Sequence, residues 1–342
     1  MPTTAICGLL GIEHPILSVG FGAGAGPELA AAVSNAGGLG VVGASGMPPD
    51  FLRERIARTR ELTERPFGAN LIIGLEDPED LDLLLERHEA IVAERVDLVV
   101  LFAGDPAPFV EPAHASGVKV AIQVGSPAEA RHAADAGVDV VIAQGLEAGG
   151  HIPARTSLFV NLPTIVDAVA PLPVLASGGI ADGRGLAAAL MLGAQGVSLG
   201  TRFVASDEAF IPDEYKRRVV EAGAEDTFYS EDLFDIGWPG MPHRTLKGRT
   251  YEEWDAAGRP PPGERPHEGE PIGYHRSPYR EGEVPRYASY MLTPWFEGDV
   301  ELGSLWAGES VALVDAVLPA GEIVRRIAAE ADEVLARVSG QR

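Results

Sequence analysis

Residues 172–201 read LPVLASGGIADGRGLAAALMLGAQGVSLGT. Two apolar runs, LPVLASGG (172–179) and AQGVSLGT (194–201), flank a helical stretch from Gly183 to Leu192. The runs lack polar alternation, as suits strands of a parallel sheet buried on both faces. Asp182 stands at the N-cap position and Gly193 at the C-terminal stop. The stretch is therefore a strand–helix–strand unit.

Six more runs of the same kind precede it: HPILSV (14–19), GLGVVG (38–43), PFGANLII (66–73), VDLVVLFAG (96–104), VKVAIQVG (118–125) and VDVVIAQG (138–145). The spacers read as helices. Pro27 opens one, Pro48 to Thr63 and Pro78 to Glu94 carry apolar residues at helical spacing, and Ser126-Pro127-Ala128-Glu129 is a capping-box pattern. Eight β runs alternating with helices predict an α/β fold, a (β/α)8 TIM barrel. A doubly wound open sheet is the alternative, but the glycine-rich turn at 20–26 is not followed by the acidic residue of a dinucleotide site.

The rest of the chain differs in composition. All four Trp and all seven Tyr lie after residue 214, and aromatics bury area that a flexible tail would not. The expected division is a barrel over 1–228, a smaller substrate-covering segment over 229–310, and a C-terminal helix over 311–342 packing back on the barrel. One helix is expected over Asp207–Ala222 and another within Leu313–Val338, started by Pro319 and closed near Gly340. Trp238, His243, Trp295 and Trp306 are pocket candidates, with core packing an equal explanation for each.

Fifty acidic against 27 basic residues give a net charge of −23. Such a surface repels nucleic acid and anionic membranes. The single Cys7 forms no internal disulfide and no thiolate cluster, and is expected to be a small buried hydrophobe. No apolar run reaches the roughly 18 residues of a membrane span, and no basic leader precedes an apolar stretch, so a cytoplasmic location is expected.

Barrel chemistry collects at the C-terminal ends of the strands. There the runs end in Asn70, Gln123, Gln144, Ser177-Gly178-Gly179 and Ser198-Leu199-Gly200-Thr201. Glycines after the last two strands expose backbone N–H groups and predict a phosphate cradle. Amides both donate and accept, which suits a heterocyclic cofactor. His151 follows Gly149-Gly150 with no second ligand at metal spacing, so proton handling or anion binding is expected rather than a metal site. No serine-nucleophile elbow is found.

HPIL with PELAAAVSNAGGLGVVG, PFGANL, AQGLEAGGH, LASGGIADGRGLAAALMLGAQGV and LGTRF together resemble the nitronate monooxygenases, over residues 10–225. GWP-x-x-PHR (237–244) and LWAG (305–308) are similar to that family's later segments. The resemblance implies an FMN-dependent barrel that oxidises alkyl nitronates, or nitroalkanes, with O2 to carbonyl compounds and nitrite. It implies FMN contacts at Asn70, Gln144, Gly149, Gly179, Ser198, Leu199, Gly200 and Thr201, further contacts at Gln123 and Gly178, and His151 beside the reactive edge of the flavin. Phe21, Gly150 and Trp238 are expected in the substrate pocket. Phe21 stands where the family usually has Met, and Ile152-Pro153 where it often has Arg-Gly. An FMN-dependent NAD(P)H oxidoreductase acting on enoyl thioesters or quinones remains open. So do a flavin-free, phosphate-binding isomerase or lyase and a non-catalytic FMN-binding protein. A homo-oligomer is open as well. An acidic protein does not attract an anionic nitronate, so local attraction is expected from His151, backbone donors and arginines of the covering segment such as Arg244.

Overall fold

The computed structural model describes residues 3–74 and 81–340. Eight parallel strands form the barrel: β1 (Ile16–Ser18), β2 (Gly40–Gly43), β3 (Phe67–Ile72), β4 (Leu98–Phe102), β5 (Lys119–Val124), β6 (Val140–Gln144), β7 (Val174–Ser177) and β8 (Gly196–Leu199). Each pairs in parallel with its neighbour in chain order, and β8 returns to β1 with Ile16 opposite Val197. Between β1 and β2 the ring closes by a single bridge, Leu17 to Leu39, with Leu39 N donating to Ile16 O at 2.9 Å. Ser18 Oγ accepts from Val41 N at 3.0 Å at the same seam.

Helices alternate with the strands: α1 (Pro27–Asn35), α2 (Pro49–Leu62), α3 (Leu81–Ala93), α4 (Ala107–Ala115), α5 (Pro127–Asp135), α6 (Leu158–Val169) and α7 (Gly183–Met191). The expected start of α3 at Pro78 lies outside the described residues. Asp182 caps α7, its carboxylate accepting from Arg184 N at 2.9 Å and Gly185 N at 3.3 Å. Ser126 caps α5, accepting from Glu129 N at 3.2 Å, while the Glu129 carboxylate takes Gly125 N at 2.7 Å rather than Ser126 N. The last helix, α8 (Ala320–Val338), fills the eighth place of the outer ring. It lies so close to α7 that a Cβ on Gly183 would stand 2.3 Å from Ala331 N, and Gly183 N donates to Glu330 at 2.9 Å.

Side chains facing inward from the strands change character along the barrel. Near its N-terminal end Leu17, Leu39, Leu98, Ala121, Val140 and Leu175 form a buried cluster, plugged from below by Ile6, Cys7 and Leu10 of a short helix. Cys7 is 3% exposed, as expected. Toward the C-terminal ends of β3, β5, β6, β7 and β8 the inward positions turn polar, at Asn70, Gln123, Gln144, Ser177 and Ser198.

Residues between β8 and α8 are folded, not a tail. Strands Thr227–Ser230 and His243–Leu246 pair antiparallel, and Gly150–His151 from the barrel adds to their edge. A second antiparallel sheet holds Pro271–Arg276, Glu281–Pro285 and Phe296–Gly298. Leu233, Phe234, Trp254, Tyr287 and Trp306 make a core of their own. One helix expectation shortens. Asp207–Ala222 is helical only over Asp213–Glu221, because Pro212 disfavours helical backbone at the residue before it. The last helix starts behind Pro319 and closes before Gly340 at φ +70°, as expected. Among the described residues no helix is long and apolar enough to cross a membrane.

Candidate active site

The polar inward positions open on a cavity of about 420 Å³ at the C-terminal mouth, a size typical of small-molecule sites. Asn70 on β3, Gln123 on β5, Gln144 on β6, Ser177 on β7 and Ser198 on β8 all line it. They share one face because side chains alternate along a strand. Asn70 Nδ2 donates to Val100 O at 3.0 Å, leaving its carbonyl oxygen for the cavity. Gln144 Nε2 donates to His151 O at 3.1 Å, while its Oε1 is buried with no partner. Sequence reasoning missed the support behind it: Asn161 of α6 donates to Gln144 O at 2.8 Å and to Gly125 O at 2.9 Å.

Gly178, Leu199, Gly200 and Thr201 line the wall at β7 and β8. Gly178 takes φ +103°, a conformation only glycine adopts freely. Gly179 does not line the cavity. It lies behind Gly178, where a Cβ would meet Glu147 Cγ at 2.9 Å. Thr201 Oγ1 accepts from Gly308 N at 3.0 Å, tying the covering segment to this wall. Gly149 lines the cavity beneath the same segment, where a Cβ would stand 2.3 Å from Gly308 N.

His151 sits in the roof sheet opposite His243. Its ring lies 4.4 Å from that of Trp238 and 5.0 Å from that of Trp306. Its Nε2 is 3.1 Å from Ser289 Oγ. Burial, and secondarily the neighbouring His243, push its pKa down to about 3, so the ring is neutral near pH 7. His243 is held neutral as well: Nδ1 donates to Met241 O at 3.0 Å and Nε2 accepts from Phe234 N at 3.1 Å.

Phe21, Gly150, Trp238 and Trp306 line the cavity. Trp295 does not; it packs on Phe210 at 4.9 Å and Tyr279 at 5.8 Å. Nor does Arg244. It pairs with Gly150 across the sheet and so points to the face opposite His151, where it holds Leu146 O at 3.2 Å and Glu309 at 3.1 Å. The arginine that does line the cavity is Arg280, together with Ser289 and Met291 from the same covering segment. Nothing local in the sequence marks these three, since folding alone brings them to a strand end more than 120 residues earlier in the chain. No group of three or more potential metal ligands occurs among the described residues.

The sequence profile described as nitronate monooxygenase matches residues 3–330. The nitronate monooxygenase of Pseudomonas aeruginosa is 31% identical over 368 residues, covering 94% of this chain and 97% of that one. A Rhodococcus jostii protein named (3aS,4S,5R,7aS)-5-hydroxy-7a-methyl-1-oxo-octahydro-1H-indene-4-carboxyl-CoA dehydrogenase is 40% identical over 246 residues; the match takes in 71% of this chain and spans 65% of that relative's length. The structure of FabK from Thermotoga maritima superposes with a TM-score of 0.80 at 33% identity, covering 100% of both chains. The chain belongs to the nitronate monooxygenase family of flavin-dependent oxidoreductases.

Proposed function

We propose that this chain carries FMN across the barrel mouth and oxidises alkyl nitronates, or nitroalkanes after loss of a proton, to carbonyl compounds and nitrite with O2. The observation that carries the reading is the placement of His151, between Trp238 and Trp306, on a cavity whose walls suit a flavin. The buried, unpartnered Oε1 of Gln144 calls for an N–H donor in the cavity, and the edge of a flavin ring supplies one. The Gly178 turn and the Leu199–Thr201 wall suit its phosphate. Bound FMN supplies the electron acceptor that the side chains lack. His151, largely desolvated between Trp238 and Trp306, takes the proton from the carbon bearing the nitro group, and the two tryptophans exclude water. His151→Ala with FMN retained, checked by flavin absorbance, should lower kcat/KM on neutral nitroethane by roughly 10²–10⁴-fold. It should affect preformed ethyl nitronate less, because that proton is already gone. Equal activity of variant and parent on nitroethane would sink the role.

A second reading is redox chemistry beside the carbonyl of a CoA thioester, with NAD(P)H as the electron partner. It is favoured by the carboxyl-CoA dehydrogenase name of the Rhodococcus relative and by the cation at the cavity mouth, Arg280. Anaerobic mixing of the holoprotein with NADPH or with propyl nitronate separates the readings by which one bleaches the flavin.

A further inference from the structure

Among the described residues Arg280 is the only formally charged side chain that lines the cavity, apart from the neutral His151. Among the described residues it has no ion-pair partner, in a protein whose net charge is −23. The residue lies at the tip of the hairpin formed by Pro271–Arg276 and Glu281–Pro285. The tip is rigid: Ser277 N donates to Arg280 O at 2.8 Å, and Arg280 N donates to Ser277 Oγ at 3.0 Å. It is also clamped down, because the Tyr279 ring packs 4.8 Å from Phe51 at the start of α2 and 5.8 Å from Trp295. Arg280 thus reaches the cavity from the side of Phe51, on the helix that follows β2, and shares the lining with Gly46, where a Cβ would meet nothing within 4 Å and the rim is open.

That side of the ring is not the one that carries the reacting end. His151 follows β6, four strands from β2 in a ring of eight, hence on the opposite side. Strands about 4.8 Å apart and tilted by about 36° make a ring about 15 Å across. The wall at β7 and β8 has its own donors. An exposed guanidinium with an empty fork suits phosphate oxygens, which it binds in pairs.

We infer that Arg280 anchors a nucleotide pyrophosphate at the rim of the cavity while the reacting part of that ligand reaches His151. This rests on the second reading above and names its recognition residue. The shared ligand chemistry is the pyrophosphate, whether carried by a coenzyme A thioester or by a pyridine dinucleotide.

The test is calorimetric titration of the FMN-loaded protein with coenzyme A and, separately, with NADP+. Arg280→Gln should weaken at least one of them tenfold or more, about 1.4 kcal/mol, with Arg280→Lys intermediate and FMN content unchanged. The ligand that loses affinity identifies the source. Arg276→Gln, an exposed arginine of the same hairpin, controls for net charge and should leave both affinities as they were. The inference is overturned if neither probe binds the parent at millimolar concentration, if Arg280→Gln binds both as the parent does, or if Arg280→Gln loses FMN. Arg280-dependent binding of coenzyme A without turnover of acyl-CoA refutes the second reading and leaves the anchor standing.

Discussion

Acidification should destabilise this fold through His151 in a way that can be isolated. Its pKa falls from 6.5 in the unfolded chain to about 3 in the folded one. The unfolded state therefore binds more protons between those values, so stability is full above pH 6.5 and falls as pH drops toward 3. At pH 5 the unfolded ring is almost wholly protonated and the folded ring almost wholly neutral. The difference is about 1.5 pH units at about 1.4 kcal/mol each, roughly 2 kcal/mol lost relative to neutral pH. His151→Gln removes the titration while keeping a polar group opposite Ser289. Urea unfolding of apoprotein and variant at pH 7.5 and pH 5.0 reads the difference. Burial also lowers His88, to about 4, and His243, but both remain in the variant and their losses cancel in the comparison. The variant should lose about 2 kcal/mol less than the parent on acidification. Equal losses, within about 0.5 kcal/mol, would show that His151 titrates normally in the folded protein and would refute its desolvation by the covering segment.

Three other substitutions probe the site and its frame. Gly149→Ala puts a methyl 2.3 Å from Gly308 N and 2.4 Å from Ala307 C, backbone atoms that cannot rotate away. Overpacking of this kind costs about 1–3 kcal/mol. Differential scanning calorimetry should show a lower Tm, and limited proteolysis an earlier cut in the covering segment. Gln144→Leu removes the unpartnered buried acceptor together with the donor to His151 O; FMN affinity, read by flavin fluorescence, should fall about tenfold while apoprotein stability falls by about 1–3 kcal/mol. Asp182→Ala strips the cap of α7 from two backbone N–H groups and should cost about 1 kcal/mol in urea unfolding, with FMN binding unaffected.

Barrel, strand ends and caps were legible because each depends on local order. Apolar runs broken by capped helices repeat eight times, and a two-residue period then decides that Asn70, Gln144 and Ser198 face the same way as Gly68, Ile142 and Gly196 below them. Gly178 was legible because a turn at φ +103° has few other occupants. Gly179 was read as part of the same wall, yet its direction depends on where Glu147 packs, and a neighbour thirty residues away leaves no local trace. Arg244 shows the same limit. Its type suited an anion, but the antiparallel register with Gly150 turns it to the far face.

What the amino-acid order determined by itself was the repeating unit, the end of the barrel where polar groups gather, and the histidine among them. Periodicity and capping act within a few residues, so they survive reading one residue after another. What only the tertiary structure decided was the environment of that histidine. His151 is neutral because Trp238, Trp306, His243 and Ser289 close over it from a segment more than 80 residues away, and desolvation exists only once they pack. Arg280 enters the cavity for the same reason: a hairpin clamped on Phe51 and Trp295 carries it there.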